Sequence, residues 1–175
     1  MIPLFFIFTK ENIQRAVEQE TSLLAVRRIP SQHPSQGEEK TDMLDELVMD
    51  KEQDELFKRY FNQAHAEVLK YIPSRFIAET PTDLEPVFRE YPDWRQDRDF
   101  NLWLNAPDTF VINYRKSIDI KIEQFIVYYI LYKWLLNKSP SDAKMYEDRL
   151  EPTLRGILSL LTKRTEPVRR LPNFP

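Results

Sequence analysis

The sequence predicts a mainly α fold: a small helical bundle around a central apolar helix, with a β-hairpin insertion and extended termini. Three observations lead there. Apolar residues recur at helical spacing in several long segments. One run, Phe125–Leu136 (FIVYYILYKWLL), is apolar on most faces and interrupted only by Lys133. The chain of 175 residues holds just two glycines, which nearly excludes glycine-rich phosphate loops and dinucleotide folds.

Composition narrows the chemistry further. Hydrophobic residues make up 42% of the chain, enough for a real core, and charged residues 30%, with a net charge of −3. No cysteine is present, which removes disulfide scaffolds, thiolate zinc sites, iron–sulfur clusters and thiol catalysis. Two histidines leave little material for a histidine metal centre. No cofactor is expected.

The elements follow in order. Met1–Phe8 is apolar but lacks a basic region before it and a small-residue cleavage site after it. It reads as a buried strand or arm, with membership of a sheet as a further option. Thr9 then caps a helix with Ile13, Ala16, Val17 and Leu24 in phase, fading near Arg27–Ile29 because Pro30 disfavours helical geometry before it. Residues 30–40 (PSQHPSQGEEK) contain two prolines, a glycine and no apolar side chain, and are read as a mobile linker. From Glu38 to Glu55, nine acidic residues face only Lys40 and Lys51. Asp50 is expected to cap the next helix, about Lys51–Tyr71, with Phe57, Tyr60, Phe61, Ala64, Val68 and Tyr71 on one stripe and Pro73 beyond its end.

Residues 72–99 carry four prolines and no clean period. Phe100, Leu102 and Leu104 then alternate with polar or exposed-type neighbours, as do Phe110, Ile112 and Tyr114 across a Pro107-Asp108 turn. This pattern predicts a β-hairpin resting on the helices. Ser117 is expected to open the long central helix to about Asn137. Its apolar run, Phe125–Leu136, is too short to span a bilayer, which needs about 20 apolar residues. Pro140 sits at the first position of a last helix, whose phase from Tyr146 to Leu161 continues through Pro152 with a kink or short break. The domain reading is one helical domain over 1–165, then an extended basic tail over 166–175.

Catalytic candidates are few. His65 lies on the second helix without a partner at zinc-binding spacing and reads as an ordinary helix histidine; His33 falls in the linker. Asp93, Asp97 and Asp99 interleave with Arg95 and Arg98, an arrangement more natural to a solvated ion-pair loop than to an acid–base pair. Phe125, Tyr128, Tyr129, Tyr132 and Trp134 form a stripe that reads as core, with some ring area left for a partner. No catalytic, cofactor-binding or metal residue is assigned. The opposed charges, acidic at Asp42, Asp45 and Glu46 and basic at Lys163, Arg164, Arg169 and Arg170, with Phe174 in the tail, suit head-to-tail self-association. The acidic overall balance argues against dedicated nucleic-acid binding.

The order of these segments resembles the head–tail connector (neck, or adaptor) proteins of tailed phages and prophages. A short first helix (TKENIQRAVEQE) precedes an acidic lead into DELFKRYFNQAHAEVLKYI, where Ala64 takes the place of the family's mid-helix alanine. The helix IKIEQFIVYYILYKWLLNK looks like the family's core helix, with Trp134–Lys138 at its characteristic end. A closing helix and the basic tail LTKRTEPVRR complete the likeness. Departures are the missing loop glycines, the long last helix and Pro152. The resemblance implies a non-enzymatic ring subunit linking capsid and portal to tail. Its partners would be portal, tail or neck components and copies of itself, in the cytoplasm of a bacterial host or in the virion, with no membrane association. A helical binding or regulatory module acting as monomer or dimer is the rival expectation, and an enzyme built on Asp93, Asp97, Asp99 or His65 a more distant one.

Overall fold

A computed structural model describes residues 1–28, 47–49, 53–77 and 99–163. The elements, in chain order, are β1 (Ile2–Phe8), α1 (Lys10–Arg28), α2 (Asp54–Tyr71), β2 (Phe100–Ala106), α3 (Arg115–Leu135) and α4 (Pro140–Thr162). Short 3-10 turns at Ser74–Phe76 and Ile112–Tyr114 precede β2 and α3 respectively. The mainly α class with a small antiparallel pair of strands is therefore what the chain adopts.

The identity of the second strand differs from expectation. β2 pairs antiparallel with β1, in a register that sets Ile2 opposite Ala106 and Phe8 opposite Phe100. Phe110–Tyr114 is not a strand. The Phe110 amide donates to the Pro107 carbonyl at 2.8 Å and the Tyr114 amide to the Val111 carbonyl at 2.9 Å. These turns lead the chain straight into α3, while β1 occupies the place beside β2. On its other edge, β2 meets Ile77 in a single bridge at Leu104.

Alternation decides what each strand buries. Leu4, Phe6 and Phe8 of β1 and Phe100, Leu102, Leu104 and Ala106 of β2 face the core. Phe5 and Trp103 stack on the outer face, with ring centroids 4.0 Å apart. The Arg115 guanidinium donates to the Phe5 carbonyl at 2.9 Å, so this carbonyl lies on β1's free edge. Phe5–Trp103 is then a pair without ladder hydrogen bonds, the kind whose side chains approach most closely. Pro3, two residues away, has its missing N–H on that same free edge, where a strand tolerates proline.

α3 is the centre of the molecule. It packs against α1, α2, α4 and β1, and buries Ile118, Ile122, Phe125, Ile126, Val127, Ile130, Leu131, Trp134 and Leu135. Such near-complete enclosure is what a helix apolar on most faces requires. It starts at Arg115, two residues before Ser117, because the 3-10 turn runs directly into it with Tyr114 at the N-cap position.

The other helix ends show similar local adjustments. α1 begins as expected, with the Thr9 carbonyl accepting from the Ile13 amide at 3.2 Å. α2 starts at Asp54 with Gln53 at its N-cap position, three residues later than predicted; Asp50 lies outside the described residues. It ends at Tyr71, before Pro73. α4 opens with Ser139 as N-cap and Pro140 following. The Ser139 hydroxyl bonds the Asp142 carboxylate at 2.7 Å rather than a backbone amide.

α4 runs through Pro152 without ending. Proline cannot donate to the carbonyl four residues earlier, and Thr153 next to it sends its hydroxyl to the Arg149 carbonyl at 2.7 Å. α4 packs closely along α3. At Gly156, the atoms nearest to an added Cβ are Nζ, Cε and Cδ of Lys121, at 3.0, 3.1 and 3.2 Å. A lysine tip can swing aside, whereas glycine within a helix costs about 1 kcal/mol relative to alanine. Gly156→Ala is therefore expected to stabilise the fold by roughly 0.5–1 kcal/mol, read as a raised melting temperature.

Candidate functional site

Two of the catalytic candidates, His65 and Asp99, fall among the described residues, and both contact neighbouring elements. His65 projects from α2 onto β2, its ring 3.9 Å from that of Phe100. Burial pulls its pKa from the usual 6.5 to about 4, because the surroundings disfavour the charged imidazolium. At neutral pH it is an uncharged aromatic packing group, in keeping with its reading as an ordinary helix histidine.

Asp99 accepts the Lys10 backbone N–H at 3.0 Å. That amide is the first of α1 and has no carbonyl within the helix to bond, so the carboxylate supplies what the helix start lacks. Asp93 and Asp97 lie outside the described residues. The Lys10 side chain reaches Asp54 at the start of α2 at 2.9 Å, and Lys58 meets the same carboxylate at 2.8 Å. Burial alone would raise the Asp54 pKa, but the hydrogen bonds and charges of Lys58 and Lys10 outweigh it and hold the carboxyl below its usual value. The starts of α1, α2 and β2 are thereby joined through Lys10.

The aromatic stripe of α3 divides. Phe125 and Trp134 are buried, whereas Tyr128, Tyr129 and Tyr132 are half-buried. Cations cover the partly open rings: the Lys133 ammonium lies 5.4 Å from the Tyr129 centroid and 5.1 Å from that of Tyr132. The Arg149 guanidinium sits 5.6 Å from Tyr128 and 5.8 Å from Tyr146. The Tyr146 hydroxyl donates to Glu20 at 3.2 Å, joining α4 to α1.

Sequence reasoning missed one structural clasp. Leu47 and Met49 lie within the acidic stretch but are both buried. The Trp134 indole N–H donates to the Leu47 carbonyl at 2.8 Å, and the Met49 amide donates to the Thr21 hydroxyl oxygen at 3.3 Å. The Thr21 hydroxyl in turn donates toward the Val17 carbonyl at 2.9 Å. Leu47-Val48-Met49 therefore bridges α1 and α3. The available signal was three apolar residues in a row among acids.

Among the residues proposed for an assembly interface, Lys163 is described. It is exposed at the end of α4, its ammonium 4.8 Å from the Tyr114 ring centroid. Arg164, Arg169, Arg170, Phe174, Asp42, Asp45 and Glu46 lie outside the described residues. The surface also presents apolar side chains. Leu23 (53% exposed) and Val26 (62%) share a shallow depression on α1 with Arg15, Glu18, Gln19 and Ser22. Among the described residues, no three histidine, aspartate or glutamate side chains gather in a group that could hold a metal ion. No helix among them is long and apolar enough to cross a membrane. No family model, curated protein or solved structure matches the chain.

Proposed function

We propose that this chain is a non-enzymatic assembly protein of the head–tail connector kind, joining portal and capsid to tail of a phage or prophage through a ring of subunits. One observation supports the non-catalytic part of the reading. His65 is stacked on Phe100, Asp99 is bound to the first amide of α1, and Lys10 and Asp54 join two helix starts. His65 and Asp99 are the catalytic candidates that fall among the described residues, and their contacts hold elements in place. The connector part rests on the order of elements, with the enclosed helix α3 between an acidic lead and a basic tail. In this reading Lys163, Arg164, Arg169, Arg170 and Phe174 meet an acidic surface such as that of Asp42, Asp45 and Glu46 on a neighbouring subunit.

A second reading, a regulatory or binding module that forms a small closed complex, is favoured by Leu23 and Val26 on the outer face of α1. The two readings differ in stoichiometry. Deleting Glu166–Pro175 separates folding from assembly. The shortened chain is expected to keep its helical circular dichroism and melting temperature while its oligomers weaken at equal concentration. Unchanged oligomers would remove the tail from the mechanism.

A further inference from the structure

We infer that the basic surface where α3 starts and α4 ends receives an acidic surface of a second copy of this chain. This rests on the assembly reading above and deepens it, placing a contact between subunits on the folded body as well as on the tail. Four cations gather there. Arg115 and Lys116 stand in the first turn of α3. The Lys163 ammonium lies 4.8 Å from the ring centroid of Tyr114, at the N-cap position of the same helix. The Lys121 side chain lies against Gly156 of α4. Arg115, Lys116 and Lys163 are exposed, and Lys121 is half-buried.

Two observations set this surface apart. Of the other described lysines, Lys10 and Lys58 share Asp54, Lys70 meets Glu67, Lys144 meets Glu147, and Lys133 and Lys138 lie over aromatic rings. Among the described residues, no carboxylate forms an ion pair with Lys116, Lys121 or Lys163, and Arg115 spends its guanidinium on the Phe5 carbonyl. The second observation is their placement. The first turn of a helix carries partial positive charge and favours acids, yet that of α3 holds no acid and two cations. Asp119 is the single carboxylate from Arg115 to Ile122. Local helix energetics disfavour this arrangement, and a facing negative surface offsets it.

Charge balance selects the occupant. Of the 25 lysines and arginines in the chain, four lie on this surface, which leaves 21 to face 28 aspartates and glutamates. A second copy therefore brings an excess of carboxylates. Basic surface on one subunit and acidic surface on the next make a heterologous contact, which closes into a ring when its rotation permits. The same excess repels a nucleic acid or an anionic membrane.

The test compares the full chain carrying Lys116→Glu and Lys163→Glu with one carrying Arg27→Glu and Arg59→Glu, exposed positions on α1 and α2 with the same change in net charge. Glutamate in the first turn of α3 suits the helix dipole, so the first variant is expected to keep its circular dichroism and melting temperature. By light scattering its association should be about tenfold weaker or more, because like charges then face each other. The second variant should match the wild type, and added salt should weaken wild-type oligomers. Oligomers equally strong in both variants would overturn the inference and leave the assembly reading standing. Equal weakening in both would overturn it too, since net charge alone would then govern association. A wild-type chain that is monomeric at every concentration would overturn both readings. Binding of single-stranded DNA or phosphatidylglycerol vesicles that Lys116→Glu and Lys163→Glu abolish, with oligomers unchanged, would give the surface a different partner and overturn the second copy.

Discussion

Trp134→Ala is expected to destabilise the fold by roughly 3–5 kcal/mol, the range found when a large buried aromatic is truncated. Trp134 is 5% exposed and lies near the end of the helix that touches most of the molecule. Its loss removes ring packing and leaves the Leu47 carbonyl without the indole donor. Trp134→Phe separates these effects by keeping much of the ring volume while deleting the N–H. It should cost about 1–3 kcal/mol, the penalty of leaving a buried acceptor unsatisfied. Urea unfolding of both variants gives the comparison. A loss under 1 kcal/mol for the alanine variant would contradict the clasp between Leu47-Val48-Met49 and the core.

Acidification from pH 7 to pH 5 is expected to remove about 1–2 kcal/mol of stability through His65 alone. Its pKa is about 4 when folded and near 6.5 when unfolded, so the unfolded chain takes up the proton first. The neutral form therefore favours the fold at pH 7. That contribution falls as pH drops below 6.5 and has been lost once pH passes below about 4. Asp54 acts in a lower window. Its depressed pKa favours the fold above the ordinary carboxylate value and loses that effect as pH falls through the folded pKa. Burial raises the Asp119 carboxyl, which contributes with the opposite sign as pH falls, so the histidine's share is read by comparison with a variant lacking it. His65→Phe should flatten the dependence of the urea midpoint over this interval, and an equal slope in both proteins would contradict the half-buried, neutral histidine.

The helices were legible because their signals are local. Ile13, Val17 and Leu24, or Phe57, Phe61, Ala64 and Val68, report a buried face through spacing alone. Pro73 and Pro140 mark a helix end and a helix start through constraints on their own backbone. Strand pairing was less accessible. Phe100, Leu102 and Leu104 announce a strand by alternation, but alternation does not name the neighbour. The nearby Phe110, Ile112 and Tyr114 imitate the same period, whereas the actual partner is β1, far away in the sequence. Helix starts moved for a related reason: Tyr114 precedes α3 through a 3-10 turn that Ser117 gives no hint of.

The contacts made by the candidate residues were not legible in the sequence. His65 could be read as an ordinary histidine, but its seat on Phe100 depends on the fold bringing that end of β2 to α2. Asp99 was grouped with its acidic neighbours in the sequence, while its bond to Lys10 joins residues far apart in the chain. Leu47 and Met49 were overshadowed by the carboxylates around them. Their role becomes visible only when the fold brings Thr21 and Trp134 to the same segment.

Solution mass tests the central claim of subunit assembly most directly. Light scattering over a concentration series, with negative-stain images of the same samples, distinguishes a ring-forming subunit from a binding module. Oligomers that grow with concentration and appear as closed rings are expected. A strict monomer at every concentration, or a closed dimer that grows no further, would contradict it.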